Sequence, residues 1–127
     1  MRLPKEKIAF VVDLVTPTRP PYRNIPDTYP HDWARTLREM ERGLDVTRII
    51  PGHGPPIVPA SAIREQREYL EDLMAAVKAV RETASDPDTV RKLVKLVKLP
   101  KYEHWGGYGP WLGMNVERIN TLLHLGK

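Results

Sequence analysis

The turn at residues 49–56, Ile-Ile-Pro-Gly-His-Gly-Pro-Pro, constrains the fold more than any other stretch of this chain. Its two β-branched isoleucines favour an extended strand, and the prolines and glycines that follow prevent the strand from continuing. His53 is therefore expected just past a strand end, where α/β sheets place their chemistry. Gly52 and Gly54 lack a Cβ, so the backbone can turn tightly and another group can approach the imidazole. For this motif alone, a solvated histidine is the simpler interpretation, because one histidine is not a metal site.

A second strand is predicted at residues 8–12, where five consecutive apolar residues end at Asp13. Their continuity, without alternation, predicts a strand that is covered on both faces. Apolar residues at helical spacing predict a helix at residues 32–42, between this strand and the one at 46–50. A strand–helix–strand crossover is right-handed and makes its strands parallel, so Asp13 and His53 should leave the sheet at one edge. A carboxylate and an imidazole are ligands that zinc accepts, although a tight site needs three or four.

Residues 16–30 contain five prolines and show neither a helical nor a strand period. This stretch is predicted to be a long loop, and loops of this length in compact domains are often functional. Arg19, Tyr22 and Arg23 within it are candidates for contact with an anionic substrate. Solvation of these side chains is the simpler alternative.

Three helices are predicted in the rest of the chain. One runs from about Pro59 to Thr83, one starts at residues 85–88, and the last is capped by Asn115. The basic residues after position 90 fall on the solvent side of the second of these helices. The aromatic residues between 99 and 113 are expected to pack against a neighbouring element, with a carbohydrate or nucleobase platform as the alternative.

Composition excludes several classes of function. The 127 residues suffice for one small domain, and they include no cysteine, so a metal would have to be held by histidines and carboxylates. The net charge of +4 is spread over interleaved acidic and basic residues, so no nucleic-acid partner is expected. No stretch approaches the roughly 20 apolar residues of a membrane span, so no membrane partner is expected and a cytoplasmic location is the default.

Two strands are few for four helices, because a two-stranded sheet is marginal in water and leaves apolar surface unmatched. The predicted fold class is therefore α/β, with a sheet that is completed by further sequence, by another chain or by a second copy of this one.

Several segments together resemble the C-terminal half of a metallo-β-lactamase-fold hydrolase. They are Phe10-Val11-Val12-Asp13-Leu14, the proline-rich loop, the helix with Trp33 and Leu37, and residues 49–55 with the long helix after them. The resemblance implies one domain over residues 1–127, half of an αββα sandwich. Its strand–loop–helix–strand part at 1–58 would carry the site, and 59–127 would form a helical and aromatic part. The aromatic tail further resembles a subgroup related to the sulfur-oxidation and quinoprotein-associated metallohydrolases, through Tyr102, Trp105, Tyr108, Trp111 and Asn115.

The resemblance also implies a zinc cofactor and a small-molecule substrate. Asp13 is similar to the family's metal-bridging aspartate, and His53 is similar to its last metal-ligand histidine. The family's His-x-His-x-Asp-His loop is absent from this sequence, and none of its four histidines belongs to such a cluster. The implied metal ligands are therefore Asp13 and His53 alone, and no catalytic side chain is assigned.

From these observations we expect the C-terminal portion of a zinc hydrolase that is inactive as this isolated chain. Two alternatives remain open: a half-domain that forms a homodimer, and a non-catalytic interaction module.

Overall fold

Four helices and a small sheet make up the computed structural model, which describes residues 2–3, 5–12, 14–21, 29–52 and 54–126. The mixed α/β class predicted from the sequence is confirmed. The strands are Arg2–Leu3 (β1), Ile8–Val12 (β2), Arg48–Pro51 (β3) and Val58–Pro59 (β4). The helices are Pro30–Gly43 (α1), Ser61–Thr83 (α2), Pro87–Val94 (α3) and Tyr108–His124 (α4), with a 3₁₀ helix at Pro100–Tyr102.

The sheet has the order β1-β2-β3-β4, and its two central strands are parallel. Helix α1 connects β2 to β3, so the predicted parallel strand–helix–strand unit is confirmed. The outer strands β1 and β4 run antiparallel to their neighbours and contain two residues each. A register shift between Phe10 and Val12 leaves Val11 without a paired residue on β3, which is a bulge next to the end of β2.

Helices cover one face of this sheet among the described residues. Ala9, Val11 and Ile49 are buried in the same hydrophobic cluster as the helix residues. Phe10 lies on the other face of the sheet, where it pairs with Ile50 on β3, and 38% of its surface is exposed. The prediction that residues 8–12 are covered on both faces is therefore wrong at Phe10, which the helices leave exposed, whereas Ile8 on the same face is buried.

Helix α2 is the centre of the helical layer and packs against α1, α3 and α4. Its apolar residues at helical spacing, among them Leu70, Leu73 and Val77, are fully buried. Helix α3 begins as the sequence predicts, because Pro87 fits the first turn and the Asp86 carboxylate accepts a hydrogen bond from the backbone N–H of Thr89 at 2.9 Å. Within the described part of the chain, no helix combines the length and the apolar character that a bilayer crossing requires.

The start of α4 differs from the prediction. The helix begins at Tyr108, after Gly107 in the left-handed region at φ 77°, and not at Asn115. Pro110 is tolerated because the first turn of a helix needs no backbone N–H donors. Asn115 therefore lies in the middle of the helix, where its side chain is fully buried.

Candidate functional site

The two predicted zinc ligands, Asp13 and His53, lie outside the residues that the structure describes. Their neighbours define the edge of the sheet where the parallel strands end. Val12, which precedes Asp13 in the chain, pairs with Pro51 on β3. Gly54 adopts φ 92°, a conformation that favours glycine, as the Pro-Gly-His-Gly turn predicted.

The loop that follows Asp13 has no regular secondary structure over residues 14–21, and other elements hold it in place. This agrees with the loop predicted at 16–30 as far as residue 21; residues 22–28 lie outside the described ranges. On one side, the indole N–H of Trp33 on α1 donates a hydrogen bond to the Leu14 carbonyl at 2.9 Å. On the other side, the backbone N–H of Gly106 donates to the Thr18 carbonyl at 3.0 Å. These bonds join residues far apart in the chain, so no local sequence pattern signals them.

Gln66 on α2 fixes the middle of this loop. Its side-chain oxygen Oε1 accepts hydrogen bonds from the backbone N–H and the hydroxyl of Thr16, at 3.2 and 3.0 Å. These two donors identify Oε1 as the acceptor end of the amide, so Nε2 is the donor end. Only 1% of Gln66 is exposed, and its Nε2 finds no hydrogen-bond acceptor in the described part of the chain. A buried donor of this kind is costly unless an acceptor is supplied. Gln66 Nε2 can therefore donate a further hydrogen bond beside the loop.

Asn115 fixes the end of the loop and links it to α2. Its amide Nδ2 donates to the Pro21 carbonyl at 3.2 Å, and its Oδ1 accepts from the Tyr69 hydroxyl at 2.8 Å. Burial raises the pKa of the Tyr69 phenol well above its usual value of 10, and the nearby Tyr108 adds to this shift. Asn115 was predicted as a cap, and its actual role is to connect α4, α2 and the loop.

A tight turn at residues 16–19 ends at Arg19. The backbone N–H of Arg19 donates to the Thr16 carbonyl at 3.3 Å, which closes the turn. Thr18 lies at the third position of this turn with φ 52°, where glycine or asparagine is usual. The Arg19 guanidinium lies 5.5 Å from the ring centroid of Trp111 on α4, within the range of a cation–π contact.

The aromatic segment packs into the core, as predicted. Tyr102 and Trp105 are buried, with their ring centroids 4.7 Å apart and 5.1 and 5.4 Å from that of Tyr69. The Tyr102 hydroxyl donates to the Asp72 carboxylate at 2.5 Å. Burial and this hydrogen bond raise the pKa of the Tyr102 phenol. These rings therefore contribute to the stability of the hydrophobic core.

The remaining candidate ligands are dispersed. His31, His104 and His124 are exposed, and the described ranges contain no group of three or more histidines, aspartates or glutamates that could hold a metal ion. Tyr22 and Arg23, the other predicted anion contacts, lie outside the described residues.

A groove of about 500 Å³ lies between the C-terminal ends of α2 and α4 and the start of α3. Two arginines line it, but Arg81 donates to Asn120 at 2.7 Å and Arg91 pairs with Asp88 at 2.7 Å. Since protein groups already bind both arginines, we do not assign this groove as the functional site.

Zinc accepts a carboxylate and an imidazole, so Asp13 and His53 have suitable chemistry, but two ligands do not make a complete site. These two side chains alone therefore do not fit a full zinc centre, and the described residues add no group of three or more candidate ligands. No family model matches this chain, and no curated protein matches it either.

Proposed function

We propose that this chain is the C-terminal part of a metallo-β-lactamase-like zinc hydrolase. Asp13 and His53 supply two zinc ligands, and another polypeptide segment supplies the others. The isolated chain is then inactive. The observation that carries the proposal is the pairing of Val12 with Pro51 at the ends of two parallel strands, because these residues stand one and two positions before the two ligands.

The one-sided sheet supports the same proposal. A layer of a two-sheet sandwich has helices on one face and an apolar face that meets the second sheet. In this chain the open face carries Phe10 and Leu3, each more than a third exposed. Leu14 and Ile57, next to β2 and β4, are exposed to a similar extent. The second sheet would cover these side chains and complete the ligand set.

In the complete site, zinc would supply an activated water as nucleophile. This chain would supply two of the zinc ligands, a ring nitrogen of His53 and the carboxylate of Asp13. Gln66 supports a polar site around the loop that follows Asp13, since its Nε2 is a buried donor with no acceptor among the described residues and its Oε1 binds Thr16.

Zinc titration of the metal-free isolated chain tests the proposal, with a competing chelator as the readout. We expect weak binding by one common site that is lost in both Asp13→Ala and His53→Ala. His124→Ala is the matched control, because this exposed histidine lies on α4, outside the proposed site, and its removal should change nothing. Zinc binding that survives in both site variants would contradict the assigned ligands.

A homodimer of half-domains is the second candidate, and the apolar face around Phe10 favours it. Two copies could bury these faces against each other and bring two Asp13–His53 pairs together. A stable dimer that binds zinc more tightly than a single pair of ligands allows would favour this candidate. A metal-free, cooperatively folded monomer would instead favour the non-catalytic interaction module.

A further inference from the structure

We propose that Arg19 is a recognition site for an oxyanion group, and that the substrate of the proposed hydrolase carries such a group. The first part of this inference stands on the loop alone. The assignment to a substrate rests on the proposed function.

The loop that carries Arg19 is fixed before any ligand arrives. Trp33, Gly106 and Asn115 donate hydrogen bonds to its carbonyls, and Gln66 accepts two hydrogen bonds from Thr16. A side chain on such a loop loses less conformational freedom on binding than one on a free loop. The loop thus has the rigidity that recognition requires, although it contains no helix or strand.

The backbone is strained at Thr18, next to Arg19. Thr18 and Lys7 are the two described non-glycine residues with positive φ, and a β-branched residue such as Thr18 is rare at φ 52°. The Thr16–Arg19 turn and the bond from Gly106 to the Thr18 carbonyl maintain this conformation. Strain of this kind tends to occur where a side chain must be presented in one direction.

The charge of Arg19 is available. Other arginines of the chain, such as Arg35 and Arg67, pair with carboxylates, whereas no ion pair of the described residues involves Arg19. Arg19 is exposed, and its guanidinium lies over the Trp111 ring, 5.5 Å from the ring centroid. A cation–π contact uses none of the guanidinium N–H groups as hydrogen-bond donors, so these can bind a carboxylate, sulfate or phosphate with two parallel hydrogen bonds.

The position of Arg19 fits a substrate contact. It stands six residues after Asp13, on the loop that leaves the ligand-bearing edge of the sheet. A substrate held at that edge through its reacting group could place an anionic substituent on Arg19. The shared chemistry of the ligand is therefore an oxyanion, whether carboxylate, sulfate or phosphate.

The test follows the arginine Nε–Hε resonances of the metal-free chain by NMR while sodium acetate, sulfate or phosphate is added, with sodium chloride as the control for ionic strength. We expect a saturable shift of the Arg19 resonance with at least one oxyanion. Arg19→Gln should abolish saturable binding, which is followed in this variant by the backbone amide resonances of residues 16, 18 and 19. Trp111→Leu should weaken binding about two- to fivefold, the loss expected for an exposed cation–π contact.

Arg42→Gln is the matched control, because Arg42 is also exposed, lies on α1, and forms no ion pair among the described residues. This variant should bind as the parent chain does. Shifts of equal size at all exposed arginines, or saturable binding that survives Arg19→Gln, would overturn the inference. The titration is done without metal, so its result does not depend on whether Asp13 and His53 bind zinc. The Asp13→Ala variant should therefore bind oxyanions as the parent chain does.

Discussion

Tyr69 and Asn115 show how a single buried contact determines the local structure. Asn115 contacts residues 46 and 94 positions away in the chain, Tyr69 and Pro21. The amino-acid sequence marks asparagine as a good cap, and only the tertiary fold reveals that this one is a buried connector. Residue types and local order were sufficient to predict the Gly54 turn and the helix start at residues 85–88, because both depend on neighbours in sequence.

Replacing Tyr69 with phenylalanine should lower the free energy of unfolding at neutral pH by about 1–3 kcal/mol, since Asn115 Oδ1 loses a buried donor. The same change should flatten the alkaline dependence of stability. The pKa of Tyr69 is raised in the folded state, so the unfolded chain releases this proton first, and stability falls as the pH rises above 10. Urea unfolding of the parent and variant between pH 7 and 11 measures both effects. An equal loss of stability with pH in the two proteins would contradict this account of Tyr69.

At the scale of elements, the parallel pair β2 and β3 and helices α1, α2 and α3 could be predicted from apolar spacing and turn residues. Strands β1 and β4 could not, because two residues show no period. The continuous apolar run in β2 predicted burial on both faces, yet the described helices cover one. A sequence pattern shows that a strand has apolar residues on both faces. It does not show whether the chain's own helices cover both faces.

A pair of lysine substitutions in β2 tests this difference between faces. Phe10→Lys should leave the chain folded, at a cost of about 1 kcal/mol, because the lysine stem can cover the sheet while its ammonium group reaches water. Val11→Lys should prevent stable folding, since Val11 is 4% exposed and its replacement would bury a charge in the core.

Circular dichroism and thermal unfolding of both variants provide the measurement. Sedimentation of Phe10→Lys adds information on association, because the substitution should abolish any dimer formed through the open face. Similar destabilisation by the two substitutions would show that both faces of β2 are packed in solution.

At the scale of the whole molecule, the described residues form a helical layer on one face of a small sheet. The helices and the core-facing side of the sheet form a continuous hydrophobic cluster, which explains how the chain can fold. In the proposed function, a second layer covers the open face and completes the zinc ligands. The small number of strands led to the prediction of an incomplete sheet, and that prediction stays untested. The anchored loop with Arg19 could not be predicted, because it depends on contacts from three separate helices.

The central claim is that Asp13 and His53 lie together at one edge of the sheet, and thiol cross-linking tests it directly. The chain has no cysteine, so the double variant Asp13→Cys/His53→Cys carries the only two thiols. The control pair is Lys7→Cys/His53→Cys, because Lys7 precedes β2 at the opposite end of the sheet. We predict that a short bismaleimide links residues 13 and 53 within the folded chain but does not link the control pair. Cross-linking of 13 to 53 only after denaturation would contradict the claim.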